Sequence, residues 1–239
     1  MKIPSLEEML KAGVHFGHSA SRWHPKMKPY IFTVRHGVHV IDLEKTQELL
    51  ASTLTQVKEL SAQGKEILFV TTKPQARDIV KAAALSCGAP YLVDRWIGGL
   101  LTNFQEIKKL IQNYNKLKEQ QANGELEKYT KKEQLAIAKQ LEKMDQNLAG
   151  LAGLKKMPEA LFIPSMQREK TAVIEANRTG VEIIAVCDTN ANPDKADYII
   201  PANDDAVKAI RLITDLIAAA VNEGKTEYES KQAVGQKKA

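Results

Sequence analysis

From residue 44 onward, short apolar runs alternate with longer segments whose apolar residues have helical spacing. Apolar runs of this length are typical of strands that are buried on both faces. We predict strands at residues 66–71, 90–93, 160–163, 182–186 and 198–200. The main helices are predicted at residues 44–63, 74–87, 168–179 and 203–222. This alternation predicts an α/β domain with a mostly parallel sheet that is covered by helices on both faces.

The segment 103–151 interrupts the alternation, because it contains neither a proline nor a plausible strand. Its apolar residues form two seams with spacings of three and four residues: Phe104, Ile107, Ile111 and Tyr114, then Ile137, Leu141, Met144, Leu148 and Leu151. Such spacing predicts an inserted coiled-coil helical hairpin that bends at Asn123-Gly124. The other faces mix Lys and Glu, which favours a solvated surface over a dedicated binding face. The α/β domain is therefore predicted to comprise residues 44–102 and 152–224.

The first 43 residues form a cationic arm that has no acidic residue between Glu8 and Asp42. The acid-free stretch contains all five histidines together with Lys11, Arg22, Lys26, Lys28 and Arg35. Several glycines and prolines interrupt it, so we predict an irregular, partly extended segment. It is joined to a short hairpin with strands at residues 30–35 and 38–43 around His36-Gly37. At the other end, residues 225–239 are polar and are predicted to be disordered.

Bulk properties limit the classes of function. The 239 residues are 44% hydrophobic, enough for one substantial domain with an appendage or for two small domains. A net charge of +5 favours polyanionic partners. Cys87 and Cys187 are far apart and lack the spacing of zinc or redox motifs, which indicates reduced, buried thiols. No apolar run approaches the roughly 20 residues of a membrane span, and the N-terminus lacks a secretory signal, so we expect a soluble, cytoplasmic protein.

Catalytic fingerprints are missing where an α/β enzyme would carry them. The first predicted strand is followed by Thr72-Lys73-Pro74-Gln75, which matches neither the glycine-rich dinucleotide turn nor the phosphate loop. The sequence contains no Gly-x-Ser-x-Gly elbow, and both cysteines lie in or beside apolar runs. We therefore expect neither an enzyme nor a small-molecule substrate. The competing hypothesis is a metal- or nucleotide-binding α/β enzyme with a basic arm.

One group of residues is compatible with a metal ion such as structural Mg or Zn. His18, Asp188 and Asp204 fall at positions that the fold can bring together, because ligands gather at the carboxyl ends of parallel strands. The alternative is structural. Asp188 then accepts hydrogen bonds in its own turn, while Asp204 and Asp205 favour a helix dipole with Asn203 as the N-cap. Elemental analysis of the purified protein distinguishes the two.

The arm predicts RNA binding. Cations and aromatic side chains alternate over Arg22, Trp23, His24, Lys26, Lys28 and Tyr30. Cations neutralise phosphates and aromatic faces stack on unpaired bases, a combination that suits folded RNA. The alternative is that Trp23 and Tyr30 only dock the arm onto the domain.

A second candidate contact is the turn around Gly98-Gly99, which precedes a helix start at Thr102 or Asn103. Free backbone N–H groups at such a turn can hold a phosphate. The alternative is a tight turn whose only role is to connect the sheet to the first helix of the inserted hairpin.

Several blocks in this order resemble the S-two family of small-subunit ribosomal proteins, in its bacterial form. The blocks are GVHFGH at 13–18, RWHPKMKPYIF at 22–32, HVIDLEKT at 39–46, DRWIGG at 94–99, LTN at 101–103, DTN at 188–190 and IPANDDA at 200–206. The resemblance covers about residues 5 to 224. The family usually has Asn where His24 stands and Gly in place of Thr71 or Thr72. It also has an aliphatic residue and Asp where Ile163-Pro164-Ser165 occurs, so we expect that strand to end early.

The resemblance implies a three-layer α/β/α flavodoxin-like domain with a protruding coiled-coil hairpin, on the solvent side of the small subunit between head and body. It implies a non-catalytic role in subunit assembly and translation. The implied partners are 16S-type ribosomal RNA, neighbouring small-subunit proteins and, where the organism has it, the messenger-binding protein S-one. The RNA contacts that it implies are Arg22, Trp23, Lys26, Lys28, Arg95 and Asn103, together with His15 and His18.

Overall fold

The computed structural model describes residues 3–236. The arm contains α1 (Leu6–Ala12), β1 (Phe16–Ser19), a 3-10 helix (Pro25–Tyr30), β2 (Ile31–Arg35) and β3 (Val38–Ile41). Next come α2 (Leu43–Ala62), β4 (Ile67–Val70), α3 (Pro74–Ser86), β5 (Tyr91–Leu92), α4 (Phe104–Ala122) and α5 (Lys131–Leu148). The last elements are β6 (Ala160–Ile163), α6 (Lys170–Thr179), β7 (Glu182–Cys187), β8 (Tyr198–Pro201) and α7 (Val207–Gln236).

The central sheet has five strands in the order β5-β4-β6-β7-β8, and each neighbouring pair is parallel. The prediction of a mostly parallel sheet is thus confirmed. Counted along the chain, the strand order is that of doubly wound, flavodoxin-like sheets. In such sheets the second strand is added on one side of the first, and the third and later strands are added on the other side, so that the strand order reverses between the first and third strands. Here the reversal lies between β4 and β6, so the fold predicts a ligand cleft at the carboxyl ends of these two strands.

The sheet separates two hydrophobic clusters because successive side chains of a strand point to opposite faces. On β4, Phe69 packs into one cluster with residues of α2, α3 and α7, whereas Leu68 and Val70 pack into the other. The second cluster includes Ile107 of α4 and Val173 of α6. Helices therefore flank the sheet on both faces, as the short apolar runs predicted.

The inserted segment consists of α4 and α5, and no strand interrupts it. Ile107, Ile111 and Tyr114 of α4 are buried, as are Leu141 and Leu148 of α5, and all five belong to the predicted seams. Beyond Tyr114, α4 has no buried residue, so the half of the hairpin nearest the bend has little core of its own. The pairing of the two helices as a coiled coil stays a prediction.

The C-terminal prediction needs correction, since residues 225–236 continue α7 rather than forming a disordered tail. The helix was predicted to end at residue 222 and the disordered tail to begin after Gly224, but this glycine is a packing contact. A Cβ atom there would lie 2.4 Å from the carbonyl oxygen of Lys58 on α2, so only glycine lets the two helices approach this closely. Lys58 also pairs with Glu227, which joins the extended part of α7 to α2. Residues 237–239 of the predicted tail lie outside the described range.

The arm is more regular than predicted. The β2–β3 hairpin is present and turns at His36-Gly37, where both residues have positive φ. However, residues 6–12 form α1, which a reciprocal capping box between Ser5 and Glu8 begins. A third strand, β1, pairs antiparallel with β3. The expectation of an irregular segment is therefore wrong for these two elements.

Candidate functional site

The arm is docked on the carboxyl edge of the central sheet through backbone hydrogen bonds. The N–H of His18 donates to the hydroxyl of Thr189 at 2.9 Å, and the N–H of His24 donates to the carbonyl of Thr189 at 2.7 Å. Asn203 donates its N–H to the carbonyl of Val14 at 3.0 Å. The residues that follow β7 and β8 thus hold the part of the arm between Val14 and His24 in place.

Gly17 lies at the closest approach between the arm and this edge. A Cβ atom at this position would be 2.6 Å from Cγ2 of Thr189 and 3.1 Å from the carbonyl oxygen of His39. Both neighbours belong to ordered segments, so any larger residue would push the arm away from the sheet.

His18, Asp188 and Asp204 come together as predicted, with their potential ligand atoms all within 4.8 Å of one another. The Nδ1 atom of His18 lies 3.0 Å from Oδ1 of Asp188. Nζ of Lys73 lies 2.9 Å from Oδ1 of Asp204 and 2.7 Å from Oδ1 of Asp205. Asp188 and Asp204 are almost completely buried. We call these five residues the edge cluster.

Each carboxylate oxygen of Asp188 and Asp204 already has a protein partner. Oδ1 of Asp188 also accepts from the N–H of Thr189 at 2.5 Å, as the predicted turn requires, while its Oδ2 accepts from the N–H of Asp204 at 3.2 Å. Oδ2 of Asp204 accepts from the hydroxyl of Ser165 at 2.6 Å. A metal ion would have to displace His18, Ser165 or Lys73 from these oxygens. The geometry therefore favours an ion-pair network that locks the arm to the domain, and the metal site stays a prediction.

The helix-start interpretation of this region is partly correct. The side-chain oxygen of Asn203 accepts from the N–H groups of Asp205 at 2.8 Å and Ala206 at 3.2 Å, so it does cap a turn. The helix itself begins three to four residues later than predicted, at Val207. Asp204 consequently points into the edge cluster instead of serving the first turn of α7.

The edge cluster makes the stability of the protein depend on pH through His18. The hydrogen bond to Asp188 is the main cause that raises the pKa of His18 above its ordinary value of 6.5, against the effect of burial. A raised pKa in the folded state means that the charged imidazole stabilises the fold. This contribution is complete below pH 6.5 and disappears as the pH rises through the folded-state pKa.

We therefore expect His18→Asn to lower the free energy of unfolding more at about pH 5.5 than at about pH 8.5. Urea denaturation at the two pH values measures this difference. His36→Asn, which removes an exposed histidine from the hairpin turn, is the matched control. If the loss caused by His18→Asn is the same at both pH values, the charged His18–Asp188 pair does not form in solution.

The cations predicted to contact RNA lie on the outer side of the docked arm. Arg22, Trp23, Lys26 and Lys28 are all exposed, whereas Met27 between the two lysines is completely buried. Met27 anchors the 3-10 helix and turns its neighbours outward. Lys26 forms an ion pair with Asp194, and Lys45 donates to the carbonyl of Pro29.

The two aromatic residues of the arm have different environments. Tyr30 is half-buried and packs against the second hydrophobic cluster, so the docking interpretation is correct for it. Trp23 is 37% exposed, and its ring centroid lies 5.4 Å from that of His39. It contacts the arm on one side and leaves part of its indole open to a partner.

His15 and His18 do not join the exposed cations. His18 faces the edge cluster, as described above. The ring of His15 lies 4.0 Å from that of Phe16, and burial lowers the pKa of His15. A histidine whose neutral form is favoured is a poor partner for phosphate, and this applies to His15 alone. His18 instead already pairs with Asp188. The RNA contacts at these two positions stay a prediction.

The phosphate-binding interpretation of the Gly98-Gly99 turn is wrong for its backbone donors. The N–H groups of Gly99, Leu101 and Thr102 donate to the carboxylate of Glu175, at 2.9, 3.2 and 3.3 Å. The turn does bind an anion, but the anion belongs to the protein. Arg95 and Asn103 remain exposed at the two ends of this loop. A lone acidic residue among the apolar residues of α6 was the sequence signal for this contact.

Sequence reasoning also missed an exposed apolar surface on the arm. Leu10 of α1, Phe16 of β1, and Phe32 and Val34 of β2 are between 47% and 74% exposed. Two adjoining clefts of about 500 and 850 Å³ share Leu10, His15, Phe32 and Val40 in their walls. Solvent-exposed apolar residues grouped in this way are typical of a protein contact surface. We call this group the apolar arm surface.

Two further observations concern the class of protein. Within residues 3–236, no helix is both long enough and apolar enough to cross a membrane. A comparison with protein-family models matches the chain to "Ribosomal protein S2" over residues 9–224. The match covers the arm from residue 9 onward, the predicted α/β domain and the inserted helices. The chain therefore belongs to the ribosomal protein S2 family, whose members are structural, non-enzymatic constituents of the small ribosomal subunit.

Proposed function

We propose that this chain binds 16S-type ribosomal RNA through the exposed cations of its arm, and that this contact supports assembly of the small subunit. The observation that carries the proposal is the outward display of Arg22, Lys26 and Lys28 on a segment that buried Met27 and the edge cluster hold in place. Pre-ordered cations bind phosphates without the entropic cost of ordering a free arm. Trp23 adds an exposed aromatic face for an unpaired base.

The α/β domain serves as the platform for this arm. The cleft that the fold predicts at the carboxyl ends of β4 and β6 has a volume of about 570 Å³. It is lined by His18, Lys73, Ser165 and Asp204 among others. Where an enzyme of this fold would bind its ligand, these side chains bind one another. This supports a scaffold over the alternative, a metal- or nucleotide-binding enzyme with a basic arm. Arg95 and Asn103 supply a second proposed RNA contact beside α4, and α4 and α5 are proposed to pair as a coiled coil.

Co-sedimentation with 30S particles in a salt series tests the main proposal. We expect the chain to sediment with the particles at low salt and to dissociate progressively as salt rises, because phosphate contacts release counterions. Depletion of the chain from cells should impair 30S assembly. Free protein that binds nucleotide would favour the enzyme alternative. If 30S assembly is unchanged after depletion, the main proposal is overturned in favour of an RNA-binding role off the ribosome.

We further propose that the apolar arm surface binds a protein partner, either a neighbouring small-subunit protein or protein S-one. Phe32 is its most exposed large residue, at 74%. Phe32→Ser should therefore weaken retention of the partner on purified 30S particles without changing retention of the chain itself. Mass spectrometry of the particles measures both, and Leu135→Ser on exposed α5 is the control. Partner retention that is unaffected by Phe32→Ser would place the contact elsewhere.

A further inference from the structure

The carboxylate of Glu175 accepts five hydrogen bonds from a single loop. Oε1 accepts from the indole N–H of Trp96 and the backbone N–H of Gly99, both at 2.9 Å. Oε2 accepts from the N–H of Leu101 at 3.2 Å, and from the N–H and hydroxyl of Thr102 at 3.3 and 3.2 Å. Glu175 is only 7% exposed, so water competes little for these bonds.

The charged form of this carboxylate is the one that the loop favours. Burial by itself raises the pKa of Glu175, but the hydrogen bonds from Trp96, Gly99, Thr102 and Leu101 outweigh burial and lower it. Backbone N–H groups that converge on one anion form the same kind of nest that proteins use for phosphate. Here α6 supplies the anion from within the chain.

The conformation of this loop determines where the residues of the second proposed RNA contact lie. It joins β5 to α4, and its two ends carry Arg95 and Asn103, the exposed residues of the second proposed RNA contact. Gly99 within it has a φ of +86°, a conformation that glycine adopts at little cost. The side chain of Arg95 donates through Nε to Oδ1 of Asn147 on α5 at 3.1 Å. The loop thus connects the sheet to both helices of the insert.

We propose that Glu175 is a positioning residue that holds residues 95–103 in the conformation that presents Arg95 and Asn103 to RNA. The proposal rests on the RNA-binding function proposed above. Glu175 itself is buried beneath the loop and touches no RNA. Without its carboxylate, three backbone N–H groups, an indole N–H and a hydroxyl lose their common acceptor, and the loop no longer has one preferred arrangement.

The first test needs no RNA and examines the free protein. The chain has two tryptophans, so Trp23→Phe leaves Trp96 as the sole indole. In this background, Glu175→Gln and Glu175→Ala should shift and broaden the indole N–H resonance of Trp96, whereas Glu106→Gln, an exposed carboxylate on α4, should not. Formate added to Glu175→Ala should restore the resonance by filling the nest. An unchanged resonance in both Glu175 variants overturns the loop-holding role.

The second test uses 30S particles that have been stripped of this protein. Glu175→Ala should lower the affinity for these particles about tenfold. Arg95→Ala should weaken binding in the natural background but add less than about twofold to Glu175→Ala, since the contact is already lost. Equal costs of Arg95→Ala in both backgrounds would overturn positioning. If Arg95→Ala has no effect in either, the RNA contact of this loop fails, while the Trp96 resonance still decides whether Glu175 holds the loop.

Discussion

Replacing Arg22, Lys26 and Lys28 together by alanine will weaken binding of the chain to stripped 30S particles and flatten its salt dependence. Each phosphate contact adds about 0.9 to the slope of log affinity against log salt for a duplex and about 0.7 for a single strand. Three contacts therefore correspond to a decrease of about 2 to 3 in this slope. Lys26 already pairs with Asp194 in the free chain, so its share should be the smallest of the three.

The matched control removes the same charge from the inserted helices. Lys116, Lys132 and Lys139 are exposed there and can be replaced by alanine without touching the arm. Binding of both triple variants is measured by co-sedimentation over a range of salt concentrations, with thermal unfolding as a check on the fold. A slope that both variants reduce equally indicates a non-specific effect of net charge. If the arm variant leaves the slope unchanged, the RNA-binding cations lie elsewhere.

Asp204→Ala is expected to destabilise the protein by about 3–5 kcal/mol, the usual cost of removing one partner from a buried ion pair. The side chain of Asp204 is 4% exposed and that of Lys73 is 11% exposed. Without Asp204, the Lys73 ammonium loses its buried partner, and the hydroxyl of Ser165 loses its acceptor. Urea denaturation followed by circular dichroism gives the free energy of unfolding for each variant.

Two further variants separate charge burial from simple charge loss. Asp205→Ala removes the same charge one residue along, but its side chain is 58% exposed, so we expect a loss below about 1 kcal/mol. Adding Lys73→Met to Asp204→Ala should recover part of the stability, because a buried ammonium that keeps only the exposed carboxylate of Asp205 as its partner is replaced by an apolar side chain. If Asp205→Ala costs as much as Asp204→Ala, or if Lys73→Met recovers nothing, the ion pair with Lys73 is not what stabilises this edge.

Local apolar patterns correctly predicted those elements in which every consecutive residue is buried. Residues 160–163 were predicted as a strand and form β6 with the same bounds, ending before Pro164 as the proline required. Gly224, in contrast, directly precedes residues 225–239, which were predicted to be disordered. Its actual role depends on α2, which lies far away in sequence, so local propensity carried no information about it. The same applies to β1, whose four residues pair with β3 but show no alternating burial.

In the candidate site, too, local sequence patterns predicted some residues, while others depend on tertiary contacts. The spacing of the arm cations already indicated an exposed polyanion contact, and the structure places Arg22 and Lys28 at the surface. The convergence of His18, Asp188 and Asp204 was predicted from strand ends alone. What remained hidden was Lys73, which supplies the positive charge, and Glu175, which fills the nest. Both are long-range tertiary partners, and a single sequence does not reveal which acid meets which donor.

The docking of the arm has a consequence for the order in which the chain is made. His18 and Thr189, which join the arm to the sheet edge, are 171 positions apart. At a synthesis rate of roughly 5–20 residues per second, this stretch takes roughly 10 to 30 seconds to translate. Throughout that interval the edge that holds the arm does not yet exist. In each newly made chain, the basic arm therefore emerges undocked beside the RNA of the ribosome that is translating it.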